Sequence, residues 1–326
     1  MASHRHEEFM KLSFYHVCIS SENEVFFRDE ADYIRGFNCL ALAIERTGSV
    51  LLADAFMSNH VHFCVQTNQL KDLVWLFRTY YYRYFNSRYK RKGPLGDPGF
   101  SAISIEGPKH CTVAISYVLR NPLHHGVTST PFEYRYSSVC NYFKKQLGHD
   151  NFVAPVTNSR FKGNLPANVV CPDSYKIEPS GQISRDSVID IGQVEHLFQT
   201  PQQFMLYMVR RTSKKWREEQ EDDTNETEPV SLELLESNRF DLSSMENNEK
   251  FKFQITTSSD ESICQIIDYK VIGRYDCDSI YQLSLQQKVD VAKYLKSEYS
   301  CSNSQLARCL AVDNDSFYKL LYQRKF

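Results

Sequence analysis

His60 and His62 flank Val61 inside an apolar run, 56–65. On a strand, side chains alternate faces, so both imidazoles project together while Val61 points the other way. Same-face neighbours lie about 7 Å apart along a strand, close enough to share a metal ion. Two histidines on one face of an otherwise apolar strand are costly to bury without partners. A second His-x-His, His4 and His6, stands on a polar stretch and reads as accidental.

Tyr117 and Asn121 form the second group. Four residues apart on a helix, their side chains stack on one face. A lone tyrosine on an amphipathic helix is ordinarily core. Beside the histidine strand, however, its phenol oxygen and the Asn121 amide oxygen face the same metal. Pro122 is expected to end that helix directly after Asn121. His124 and His125 follow and read as a solvated loop pair able to contact phosphate.

The third group is a Tyr-Arg stretch in which Arg78, Arg83, Arg88, Lys90, Arg91 and Lys92 have no acid among them. Cations neutralise phosphates and aromatic rings stack on unpaired bases, a combination suited to single-stranded nucleic acid. Half of the rings must form the buried stripe of a helix. Tyr80, Tyr81 and Tyr82 also lie in this stretch.

Periodicity supplies the elements that position these groups. Strand-like runs fall at 11–20, 49–56, 60–67 and 100–106, and helical spacing at 28–46, 70–89 and 109–120. The order strand, helix, strand, strand, helix, strand, helix gives an α+β class, a ferredoxin-like antiparallel sheet with helices on one face. Helices are also expected at 183–198 and 202–215, in a proline-interrupted region. Three short helices close the chain, capped by Ser284, Ser302 and Asp313 or Asn314. They read as an all-helical helix-turn-helix region, with Ser316, Tyr318, Lys319, Tyr322, Gln323 and Arg324 facing a DNA groove. The expected organisation is a core at 1–148, a mostly helical accessory region at 149–217, an acidic linker at 218–260 and the helix-turn-helix at 261–326.

Composition sets the outer limits. The 326 residues are 42% hydrophobic and 24% charged, which excludes disorder throughout. No apolar run approaches the ~20 residues of a membrane span, and the first twelve residues are too polar for a signal peptide. Ten cysteines without a CxxC pair point to reduced thiols and a cytoplasmic chain, nucleoid-associated if DNA is its partner. The net charge of −2 hides a split, +3 over 1–150 and −5 beyond, much of the acid lying in 218–228.

Three blocks together resemble a known family. The segment Phe56-Met57-Ser58-Asn59-His60-Val61-His62-Phe63-Cys64-Val65 is similar to the His-hydrophobic-His segment of single-tyrosine HUH transposases. Tyr84-Phe85-Asn86-Ser87-Arg88-Tyr89 resembles the following segment of the REP-associated tyrosine transposase branch. Tyr117-Val118-Leu119-Arg120-Asn121-Pro122, with Tyr134-Arg135-Tyr136-Ser137-Ser138, resembles that branch's tyrosine helix and its continuation. The blocks cover roughly 10–143 in the family's order. Where the family shows a Trp-Gln-x-Arg-Phe-like element, this chain reads Leu95-Gly96-Asp97-Pro98-Gly99-Phe100.

The resemblance implies an HUH nuclease core with His60 and His62 as metal ligands, Asn121 as the third ligand and Tyr117 as nucleophile, ranked ahead of the rival tyrosines Tyr80, Tyr81 and Tyr82. The implied reaction cleaves single-stranded DNA beside a hairpin, leaving a 5′-phosphotyrosine link and a free 3′-hydroxyl. A phenol with a pKa near ~10 is a weak nucleophile at neutral pH, so a divalent ion that polarises the phosphate suits it. Magnesium prefers oxygen ligands, and a two-imidazole site also suits manganese. Arg78, Arg83, Arg88, Lys90, Arg91 and Lys92, with Tyr318, Lys319, Gln323 and Arg324, are the DNA-binding candidates, for hairpin and flanking duplex respectively. Members of the wider superfamily act alone or across a dimer, so a homodimer is open. The alternatives are a DNA-binding regulator that no longer cleaves, and a zinc hydrolase built on the His-x-His pair.

Overall fold

The computed structural model describes residues 12–149, 165, 166, 169–209 and 258–322. Four strands, β1 (Ser13–Ser20), β2 (Val50–Phe56), β3 (His60–Thr67) and β4 (Ser101–Ile105), form one antiparallel sheet in the order β2-β3-β1-β4. Between them run α1 (Glu30–Arg46) and α2 (Leu70–Arg88), and α3 (Pro108–His124) follows β4. The class is α+β, with the β-α-β-β-α-β connectivity expected from the periodicity.

Local chemistry explains the element boundaries. Asp29 caps α1 by accepting from the Asp32 amide, and Glu30 and Asp32 add acid to its first turn. Gly36 lies inside α1 because a Cβ there would come 2.4 Å from Cε1 of Phe27. Met57, Ser58 and Asn59 turn the chain between β2 and β3, closed by the Met57 amide donating to the His60 carbonyl at 2.8 Å.

Helices cover both faces of the sheet, which corrects the one-face expectation. Phe56 of β2 meets Phe37 of α1 and Phe77 of α2, at 6.1 and 6.5 Å between ring centroids. Its cross-strand partner Val61 shares that face. His62, paired with Ala55 and Cys18, faces the other way, where Tyr117 of α3 packs. The reason lies in β3, which is buried along both faces and so needs cover on both.

A second correction concerns Pro122. The helix does not stop before it but continues to His124. Lacking an N–H, Pro122 forfeits one ladder bond, a small loss in a last turn. The helix closes instead where the His125 amide returns to the Asn121 carbonyl at 3.1 Å and Gly126 takes φ +64°.

Residues 169–209 build onto the same core. The helix expected at 183–198 is α4 (Ile191–Phe198), entered through a 3-10 turn at Arg185–Ser187 and capped by Asp190. The next, α5, is Pro201–Val209, and the rest of its expected range lies outside the described residues. Phe198, Phe204 and Met208 are fully buried with the sheet's own apolar side chains. Arg185 clamps Asp54 of β2 at 3.0 and 2.9 Å while its guanidinium stacks 4.2 Å over Phe37.

The last described stretch begins with α6 (Asp260–Ile266), capped by Ser259, and most of the expected linker lies outside the described residues. Then come α7 (Leu285–Glu298), α8 (Asn303–Cys309) and α9 (Asn314–Tyr322). Ser284 and Gln287 form a capping box, Ser302 caps α8, and Asp313 accepts from the Ser316 amide at 2.9 Å, as the sequence led one to expect. Ile263, Leu295, Leu306 and Phe317 form a second apolar cluster, completed by Val25 from the loop after β1. Among the described residues no helix is long and apolar enough to cross a membrane.

Candidate functional site

The sheet face under α3 is lined by His16 of β1 and His60 and His62 of β3, which the antiparallel register brings side by side. All three are buried. Burial lowers the pKa of His16 and of His60 to about 4, although the Asn121 oxygen beside His60 favours the charged ring. His62 is held well below the ordinary value by burial, then by His60, His16 and the histidines at the end of α3. These imidazoles are therefore neutral at physiological pH and keep ring lone pairs for a ligand.

The hydrogen bonds around His60 assign its proton. Asn59 is oriented by its Nδ2, which donates to the Ser21 carbonyl at 2.9 Å, so its Oδ1 faces His60 Nδ1 at 3.0 Å. Nδ1 must then carry the single proton of the neutral ring. Nε2 is left as a lone pair, and it faces Asn121 Oδ1 at 3.0 Å. Two acceptors at that distance repel. A shared cation relieves the contact; without one, the amide must turn over and donate. Two ligands at a right angle on an ion with ~2.1 Å bonds stand about 3.0 Å apart. His60 and Asn121 thus fit a divalent ion, with Asn59 as the outer partner that fixes the ring.

His62 is the less direct member. Its Nδ1 lies 3.1 Å from His16 Nε2 and its Nε2 3.8 Å from Cys18 Sγ, while its ring centroid is 5.0 Å from that of His60. The thiol contact is long and weak. Among the described residues no group of three or more His, Cys, Asp or Glu is arranged to hold a metal.

Tyr117 stands over this face. Its ring meets those of His16 and His62 edge-on, both at 5.5 Å, and lies 5.9 Å from that of the exposed His124. His125 sits 4.8 Å from the His60 ring. The helical spacing of Tyr117 and Asn121 does bring both to the histidine face. The rival tyrosines belong to α2, across the sheet; Tyr81 is buried and donates to the Phe26 carbonyl.

Sequence reasoning passed over His16 and treated His125 as solvated. The available signal for His16 was the alternation His16, Cys18, Ser20, three polar or small side chains on one face of a buried strand. For His125, local sequence held no signal, since its neighbour His60 is set by tertiary packing.

The basic stretch of α2 and the segment after it divides. Arg88 pairs with Asp29 and, at 2.5 Å, with Asp32. Asp32 is fully buried, and burial pushes its carboxyl up to about 6 although Arg88 opposes the shift. Arg91 pairs with Glu24 at 2.8 Å. Arg78 donates to the carbonyls of Asp97, Pro98 and Gly99, bracing the 95–100 loop. Arg83, Lys90 and Lys92 are exposed, as are Tyr318 and Lys319 of α9. Gln323 and Arg324 lie outside the described residues.

No protein-family model matches this chain, and no curated protein does. Among solved structures it is similar to a REP-associated tyrosine transposase bound to a REP hairpin, with 11% identity and a TM-score of 0.35. That match covers 50% of this chain and 88% of the other. A proposed transposase from Deinococcus radiodurans R1 matches with 18% identity and a TM-score of 0.25, over 31% of this chain and 85% of the other. Similarities of this size carry no inference to function.

Proposed function

We propose that the chain is an HUH-type tyrosine transposase or nickase, with a ferredoxin-like core, that cleaves and rejoins single-stranded DNA at hairpin repeats. The observation that carries this reading is His60 Nε2 standing 3.0 Å from Asn121 Oδ1 on the face where Tyr117 packs. A neutral imidazole and an amide oxygen converge there beside a phenol, an arrangement with little purpose as plain core. His60 and Asn121, with His62 alongside, would hold magnesium or manganese. When bound, the ion supplies Lewis-acid polarisation of the scissile phosphate.

The chain's own residues do the rest. Tyr117 forms the O–P bond, the P–O3′ bond breaks, and the departing 3′ oxygen takes up a proton. His124, exposed and next to the Tyr117 ring, is the solvent-side imidazole for the phenol proton. Asn59 keeps the His60 lone pair aimed inward. Arg83 of α2, with Lys90 and Lys92 just after it, are the cations exposed for phosphate, and Tyr318 and Lys319 the duplex contacts of the helix-turn-helix.

The test is incubation with single-stranded hairpin libraries plus manganese or magnesium, read on a denaturing protein gel. A covalent protein–DNA band that requires metal and is lost in Tyr117→Phe is the expected result. Tight hairpin binding with no band under any metal would favour the non-cleaving regulator instead.

A further inference from the structure

The closing helices, read from sequence as a module on a linker, are anchored to the core at four separate places. Arg28, fully buried in the loop after β1, donates to both carboxylate oxygens of Asp268 at 2.8 Å and to the Cys309 carbonyl at 2.9 Å. Ser58, in the turn before His60, donates to Asp260 at 2.7 Å, and Asp260 in turn holds Arg308 of α8 at 2.9 Å. Tyr136 and Arg135 both reach Glu261. Tyr281 meets Phe85 of α2 at 6.2 Å and lies 5.4 Å under the Arg91 guanidinium. Val25 of the core loop is fully buried within the module's own apolar cluster.

Contacts at the β1 loop, the β2–β3 turn, α2 and the 135–136 segment are spread over different elements, so no single hinge joins the two parts. The contacts to the core run through 260–268, 281 and 308–309, whereas Tyr318 and Lys319 on α9 are exposed. We infer that the module is a fixed spacer: it holds α9 at one distance and angle from Tyr117, and so selects duplex DNA standing at one spacing from the unpaired strand. Arg28 and Asp268 are the positioning residues. The inference rests on the proposed function for its ligand, since it takes α9 to read duplex.

A flexibly tethered module would reach its duplex site over a range of spacings. A fixed one tolerates a single spacing, because adding about half a helical turn, roughly 5 bp, moves the duplex to the wrong side. The full chain is therefore presented with a hairpin joined through spacers of varied length to a random duplex, and the bound molecules are sequenced. A duplex motif enriched at one spacing, falling on the order of tenfold when shifted by half a turn, is expected. Asp268→Asn, and Arg28→Met where it folds, should broaden the spacing while the motif persists. The same motif at every spacing in the wild-type chain, or no motif at all, overturns the inference. Binding is the readout, so a chain that selects one spacing yet forms no covalent band would retain the spacer and refute cleavage. As a DNA-free measure, fluorophores at Asp72 and Lys293 should report a single narrow distance that broadens in Asp268→Asn; a broad wild-type distribution overturns it too.

Discussion

On the α2 side of the molecule, Arg88 and Arg91 end on the carboxylates of Asp29, Asp32 and Glu24. Under α3, by contrast, His16, His60 and His62 face amides, a thiol and one another. Both regions are rich in residues that bind phosphate or metal. The arginines have their charge answered within the chain and hold the fold together. The histidines are kept neutral, and one lone pair is set against an amide oxygen. Residue type marks both regions as functional; only the partners tell which side chains are left for a ligand.

The comparison breaks most visibly where a structural charge is removed. Arg28→Ala leaves Asp268 without its partner at a buried contact, and a loss of about 3–5 kcal/mol in denaturant unfolding is expected. Acid should weaken the histidine side. The unfolded imidazole takes up its proton near 6.5, but His16 and His60 only near 4. Between those values the unfolded chain binds more protons, so stability falls as pH falls, by about 3 kcal/mol per imidazole. Unfolding midpoints measured from pH 7 to pH 4.5 should show this slope, and His16→Gln should flatten it.

Subtler changes sharpen the contrast. Asn59→Ala frees the His60 ring without touching Asn121 or Tyr117, and manganese affinity by titration should drop about 10–100-fold. On α2, Arg83→Ala should leave stability within about 0.5 kcal/mol yet reduce the salt slope of hairpin binding by about 1. Arg88→Ala should do the reverse, costing stability through buried Asp32 while the salt slope stays put.

Much of the core was legible because its elements are amphipathic. The strands and helices from Ser13 to His124 follow period-2 and period-3.6 patterns, and His60, His62, Tyr117 and Asn121 share a face by those same periods. What escaped was set by pairing across distance. His16 gains its meaning from the β1–β3 register, and Arg88 is answered by acids some fifty-six residues earlier in the chain. Arg28 meets Asp268 across a separation of 240 residues, which no local pattern encodes. Pro122 misled because a proline in a final turn costs one bond, too little to end a helix whose packing face continues.

The central claim is that Tyr117, and not the tyrosine cluster of α2, is the residue joined to DNA. After reaction with a metal-supplied hairpin library and nuclease trimming, trypsin releases 110–120, which contains Tyr117, apart from 79–83, which contains Tyr80, Tyr81 and Tyr82. Mass spectrometry should find the added nucleotide phosphate on the 110–120 peptide. Finding it on 79–83, while 110–120 runs unmodified, would contradict the account and move the chemistry to the other face of the sheet.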